Sequence, residues 1–181
     1  MQKADAYMIT PAGPGDALAL ARVHVAAWRE TYPGMLPQPF LDRMSPEIYA
    51  ARWTPRLLQG DEITLAAEGR DGLVGYASGD TMPRRGPASA DAEITTLYVL
   101  RRAQGEGLGR ALMRGLARTL AAKGAGSLVI WVLRDNLRAR GFYAAMGGVY
   151  AGERMERVGG WSVPSVGYRW GDIGVNYPEA A

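Results

Sequence analysis

The sequence predicts a mixed α/β domain, with about seven strands in one central sheet and about four flanking helices. Three observations carry this. An apolar strand candidate at 92–100, a long amphipathic helix at 107–123 and a second apolar run at 127–133 follow one another, and strand–helix–strand order implies parallel pairing. Asp71-Gly72 and Gly159-Gly160 each separate two short β-rich runs, which implies antiparallel hairpins. Near the N-terminus, by contrast, apolar residues recur at helical spacing.

In chain order, Tyr7-Met8-Ile9 is a short strand candidate. Asp16 can cap a helix running to about Tyr32, with Leu18, Ala21, Val25, Trp28 and Tyr32 along one face, and Pro33-Gly34 stops it. Ser45-Pro46 opens a second helix as cap and first-turn proline, with Ile48 and Ala51 in its early turns. The period then changes. Residues 62–68 and 73–79 read as two strands around Gly69-Arg70-Asp71-Gly72, and 82–89, with Pro83, Gly86 and Pro87, reads as a loop. Ala92 to Leu100 is rich in β-branched and aromatic residues and reads as a buried strand. The next helix carries Leu108, Ala111, Leu112, Gly115, Leu116, Thr119 and Leu120 on one face and Arg110, Arg114 and Arg118 on another, and it ends at Gly124 and Gly126. A strand at 127–133, a short helix from Asn136 to Met146 and two strands, 149–157 and 161–170, complete the order. The polar tail at 171–181 reads as a loose end.

With 181 residues, no repeat and no linker, residues 1–181 are expected to form a single domain. Cysteine is absent, which removes disulfides, thiolate metal sites and cysteine nucleophiles. His24 is the only histidine, so a metal site is not expected. A net charge of +3, with sparse Arg84-Arg85 and Arg101-Arg102 pairs, is too small and scattered for nucleic acid, though it suits a small phosphorylated ligand. Neither a membrane span nor an apolar leader is visible, so a cytoplasmic location is expected.

The chemistry concentrates in the passage from Glu93 to Arg110. A buried strand runs into Gln104-Gly105-Glu106-Gly107-Leu108-Gly109 and directly into the helix. Free N–H groups at a helix start point outward, and the dipole adds about half a positive charge there. Glycines at 105, 107 and 109 let a phosphate approach the backbone, so the turn suits a pyrophosphate. A dinucleotide G-x-G-x-x-G started at Gly105 would need its third glycine where Arg110 stands, and no Gly-Lys-Ser/Thr triplet occurs for a P-loop.

Gln104 to Gly109 resembles the Q/R-x-x-G-x-G/A signature of the Gcn5-related N-acetyltransferases (GNAT). Trp131 to Tyr143, in which a strand ends in Asn136 and a helix bears Phe142-Tyr143, is similar to that family's later motif, and Val23 to Gly34 resembles many bacterial members. The resemblance spans nearly the whole chain. It implies a sheet splayed near Val99 and acetyl-CoA as co-substrate, without a metal. It further implies that the backbone of Leu97, Tyr98 and Val99 meets the pantetheine arm, and that Gln104, Gly105, Glu106, Gly107, Leu108, Gly109 and Arg110 hold the pyrophosphate. Asn136 would touch the pantetheine or cap its helix. Tyr143 matches the family's helix tyrosine near the sulfur and would be the acid for the departing thiolate. Glu93, at the start of the strand, would be the base, with a salt-bridged structural carboxylate as the alternative.

The activity so implied is transfer of acetyl to an amine by direct attack in a ternary complex, with a small-molecule acceptor. Loops at 33–45 and 156–164 would close a small-molecule pocket, whereas a protein or peptide acceptor needs an open groove. A non-catalytic acyl-CoA sensor is the reading from another class. His24, Trp28, Tyr32, Trp53 and Trp161 can shape an acceptor pocket, although such residues usually pack a core. Pairing of the C-terminal strands across a homodimer is compatible with this reading.

Overall fold

Gly72 stands at φ 103°, a left-handed conformation that glycine adopts without strain. It turns β2 (Ile63–Gly69) back on β3 (Gly72–Asp80), with Gly69 opposite Gly72. β1 (Met8–Pro11) adds antiparallel to β2, with Ile9 opposite Ala67. This computed structural model describes residues 7–60, 62–81 and 90–177, and the loop expected at 82–89 lies outside the described residues. β4 (Ala92–Val99) and β5 (Leu128–Leu133) pair in parallel, as the strand–helix–strand order predicts, from Ala92–Leu128 to Ile94–Ile130. Their ladder stops there, although β4 continues to Val99. β6 (Val149–Val158) and β7 (Trp161–Trp170) form the second hairpin, with Val158 opposite Trp161 across Gly159-Gly160. The result is a mixed seven-stranded sheet of order β1-β2-β3-β4-β5-β7-β6.

The helices are α1 (Ala17–Thr31), α2 (Gln38–Asp42), α3 (Pro46–Gln59), α4 (Leu108–Ala122), α5 (Leu137–Ala145) and α6 (Ile173–Asn176). α3 starts as predicted: Pro46 takes the first turn, and the Ile48 N–H donates to the Ser45 hydroxyl oxygen at 3.5 Å. Gly60, at φ 71°, ends it. On α4 the leucines of the predicted face, Leu108, Leu112, Leu116 and Leu120, are at most 1% exposed, while Ala111, Gly115 and Thr119 are half-buried and the buried face extends instead to Met113 and Ala117. Each leucine so buried contributes about 2 kcal/mol. None of the helices among the described residues is long and apolar enough to cross a membrane.

Four expectations are corrected. Asp16 precedes α1, but its carboxylate accepts from the Gly13 N–H at 2.8 Å and caps no helical N–H. Leu18 and Ile48 are exposed, because the buried positions of α1 are Ala17, Leu20, Ala21, Val23, His24, Val25 and Ala27 and α3 turns Ile48 outward. The expected loops at 33–45 and 156–164 contain regular structure, α2 in the first and most of the β6–β7 hairpin in the second. The tail does not trail away before residue 178. Ile173 is fully buried, its N–H donates to the Gly126 carbonyl at 3.0 Å, and the Tyr177 hydroxyl donates to the Met146 carbonyl at 3.3 Å.

The chain divides into two compact units, Met1–Gly79 with Thr96–Leu116, and Asp80–Thr95 with Ala117–Ala181. In the first, Leu20, Val23 and Ala27 of α1 pack with Ala66, Tyr76 and Leu100, and Trp53 and Leu57 of α3 lie against that core. In the second, Ile94, Leu128, Ile130 and Val166 are almost wholly buried.

Candidate active site

The first unit contains the glycine turn. After Val99 the chain makes a short 3-10 turn at Arg101–Ala103 and becomes extended at Gln104. The Gln104 side chain folds back and donates from Nε2 to the Val99 carbonyl at 2.7 Å, which fixes the turn against the strand end. Its Oε1 is buried with no hydrogen-bond partner among the described residues. Gly105 and Gly107 take φ of 79° and 88°, so a side chain at either position would be strained. The Gly107 carbonyl accepts from Ala111 at 3.0 Å, the first helical bond of α4. The next N–H groups, from Leu108 to Arg110, are those a helix start leaves without intrahelical acceptors. Arg110 is exposed on this first turn. Glu106 is the one acidic side chain in the turn, and the Tyr7 hydroxyl donates to its Oε2 at 2.5 Å. That bond to Glu106, ahead of burial, holds the Tyr7 phenol above its ordinary value of 10.0.

Leu97, Tyr98 and Val99 lie on β4 beyond the last pair with β5. On the β3 side the fit is tight. A Cβ at Gly75 would stand 2.9 Å from the Tyr98 carbonyl oxygen and 3.2 Å from Val99, so only glycine fits there. The Tyr98 ring turns into an aromatic group with His24 and Trp28 of α1, Tyr32 just past its end, Tyr49 and Trp53 of α3, and Tyr76 of β3. Tyr32 and Tyr98 share a hydrogen bond between their hydroxyls at 2.9 Å. His24 Nδ1 and the Tyr76 hydroxyl lie 2.6 Å apart. Burial pushes the His24 imidazole from 6.5 down to about 3, so the ring is neutral at physiological pH.

The second unit contains Glu93, Asn136 and Tyr143. Glu93 is buried, and Arg154 donates to its Oε1 at 3.4 Å. Arg154 also pairs with Glu156, whose other oxygen accepts from Ser165 at 3.1 Å, and its guanidinium lies 4.2 Å from the Trp131 ring centre. Gly167 makes room for that indole, since a Cβ there would come within 3.1 Å of it. Asn136 caps α5, its Oδ1 accepting from Ala139 N–H at 3.1 Å, as sequence suggested. Tyr143 is buried on α5, with the rings of Phe142, Tyr168 and Trp170 centred 5.3, 6.0 and 6.2 Å away. No cluster of three or more metal-ligating His, Asp or Glu side chains occurs among the described residues.

Sequence reasoning missed Tyr7, Gly75, Tyr76 and Arg154. Arg154 stands 61 residues from Glu93, and Tyr7 stands 99 from Glu106. Nothing local in the sequence couples such pairs.

The family model of the GNAT acetyltransferases matches residues 25–147, which is most of the chain. The chain belongs to the GNAT acetyltransferase family. It is an acyltransferase of the N-acetyltransferase class. Among curated relatives, this acetyltransferase is 29% identical over 158 residues to the uncharacterized N-acetyltransferase YuaI of Bacillus subtilis, covering 87% of this chain and 89% of that protein. A solved GCN5-related N-acetyltransferase structure from Rhodopseudomonas palustris superposes with TM-score 0.72 at 24% identity, covering 91% of this chain and 94% of that one. The PaiA N-acetyltransferase of Thermoplasma acidophilum, solved in complex with coenzyme A, superposes with TM-score 0.69 at 18% identity, covering 91% and 99%.

Proposed function

We propose that this acetyltransferase moves the acetyl group of acetyl-CoA to the amine of a small molecule by direct attack in a ternary complex, with residues 1–181 acting as one catalytic domain. The observation that carries the reading is the turn from Gln104 to Gly109. Two glycines at positive φ lead into α4, one short turn after a strand whose pairing with β5 has ended. Phosphate oxygens are held well by such a helix start. In this reading the N–H groups of 105–110 bind the pyrophosphate and Arg110 adds a charge-assisted contact. The backbone of Leu97 to Val99 meets the pantetheine arm, and one of its amides polarises the thioester carbonyl. Asn136 steadies the start of α5, which carries Tyr143.

The acceptor must arrive as a neutral amine, since an alkylammonium of pKa near ~10.4 has no lone pair to give. Its nitrogen attacks the thioester carbon and forms the N–C bond, and collapse of the adduct breaks the C–S bond. The nitrogen releases one proton, through water, toward Glu93, and the departing thiolate takes one from the Tyr143 hydroxyl. Amine and acetyl-CoA thus give amide and CoA thiol, and solvent restores both groups.

The test is Tyr143→Phe. The chain has no cysteine, so released CoA can be followed with a thiol reagent without protein background. Loss of an acid of this kind costs about 10²-fold or more in kcat, while the acetyl-CoA-induced rise in melting temperature stays as in the wild type. Wild-type kcat in the variant would remove Tyr143 from the mechanism.

A further inference from the structure

The glycine turn before α4 carries its own competitor for an anion. A helix start attracts any negative group through its free N–H groups and the positive end of the dipole, and a carboxylate qualifies as well as a phosphate does. The carbonyl that takes the first helical bond of α4 belongs to Gly107, which has no side chain to accept from the N–H groups that follow. Glu106 stands one residue before it and holds the carboxylate nearest to those groups along the chain. Folded onto them, that carboxylate would occupy the anion site. Left beside them, it would repel a bound pyrophosphate.

The carboxylate is tethered away from the turn instead. The Tyr7 hydroxyl donates to Glu106 Oε2 at 2.5 Å, a short bond of the charge-assisted kind between residues 99 positions apart. Because this bond, ahead of burial, holds the phenol above its ordinary value of 10.0, Tyr7 remains a donor across the physiological range. Tyr7 is itself seated by the sheet of the first unit. Met8 of β1 lies opposite Glu68 of β2, so Tyr7 comes next to Gly69. A Cβ at Gly69 would stand 3.3 Å from Cε1 and 3.4 Å from Cδ1 of the Tyr7 ring, nearer than carbon atoms pack at rest. Gly69 does not take a left-handed conformation, so the ring and not the backbone is what glycine accommodates there.

We propose that Tyr7 is a positioning residue for the co-substrate: it draws the Glu106 carboxylate off the start of α4 and so keeps the N–H groups of Leu108 to Arg110 open to the pyrophosphate. The inference rests on the phosphate-binding reading of the turn given above. Tyr7 touches no phosphate and acts only through Glu106, so its effect vanishes when residue 106 has no charge.

CoA is titrated calorimetrically into the wild type, Tyr7→Phe, Glu106→Gln and the double variant, with a thermal melt of each to show that it is folded. The proposal expects Tyr7→Phe to raise the dissociation constant about tenfold, which is about 1.4 kcal/mol. It expects Glu106→Gln, which removes the charge and keeps the backbone N–H, to lower that constant. Adding Tyr7→Phe to Glu106→Gln then changes it less than about twofold, the non-additivity of two residues that act through one bond. A merely structural role for Tyr7 would carry the same loss into both backgrounds, and that result overturns the proposal. So does a Tyr7→Phe that binds CoA within about twofold of the wild type, or a Glu106→Gln that binds it more weakly. A wild type that does not bind CoA defeats the phosphate-binding reading itself, so the two failures are distinguishable.

Discussion

His24 is the only histidine in the chain, and it is folded into an aromatic group as a neutral ring. Mild acid should therefore destabilise this protein through His24. Burial lowers the folded pKa to about 3 from the ordinary 6.5, so the unfolded chain binds the proton first. Stability is full above the unfolded value and falls as pH drops from there toward the folded value. The slope is about 1.4 kcal/mol per pH unit, so lowering the pH from 7.5 to 5 removes about 2 kcal/mol. For a chain of this length that lowers the melting temperature by about 4–8 °C. The window is clean. Among the described residues, the carboxyls whose folded pKa is depressed, Asp91 by its bonds to Ser127 and Gly126 and Glu47 by Ser45, lose their contribution mainly below about pH 5, around and under their ordinary values of 3.8 and 4.5. Urea unfolding at several pH values between 5 and 7.5 reads the loss, and His24→Gln, with nothing to titrate there, should flatten it. A wild type equally stable at both ends of the range, or a variant with the same slope, would refute a buried neutral imidazole.

Two further perturbations follow from the second unit. Arg154→Ala removes the half-buried guanidinium 3.4 Å from Glu93, itself 2% exposed, and should cost about 1.5–3 kcal/mol in urea unfolding; a loss below about 0.5 kcal/mol would mean that the pair carries no weight. Gly148→Ala places a methyl 2.5 Å from Cζ2 of Trp170, whose indole N–H is tied to the Met146 carbonyl at 2.9 Å and cannot swing aside. Overpacking of this kind should cost about 1–3 kcal/mol in thermal unfolding, and a neutral substitution would contradict the packing at α5.

What sequence revealed was local and periodic. The α4 leucines showed their buried face because the helix repeat alone dictates it. The two hairpins showed themselves because Gly72 and Gly160 take positive φ, which few other residues do. The glycine turn at 104–109 was legible for the same reason. Short or weakly patterned pieces were not. α2 holds a proline within five residues and presents no periodicity, and α6 is held by Ile173 and Tyr177 reaching partners far back in the chain. The candidate site was half legible. The cradle, Asn136 as a cap and the placement of Tyr143 on its helix lay within single segments. The engagement of Glu93 with Arg154, of Glu106 with Tyr7 and of His24 with Tyr76 depends on contacts 52 to 99 residues apart, which no local pattern encodes.

The central claim is that the turn after β4 binds the phosphates of acetyl-CoA. A thermal melt with acetyl-CoA, CoA and NAD in parallel tests it most directly. A ligand at about 100 times its dissociation constant adds about 2.7 kcal/mol, which at this chain length raises the midpoint by about 5–11 °C. The account predicts that rise with both CoA species and none with NAD. No rise with either CoA species at millimolar concentration would contradict it.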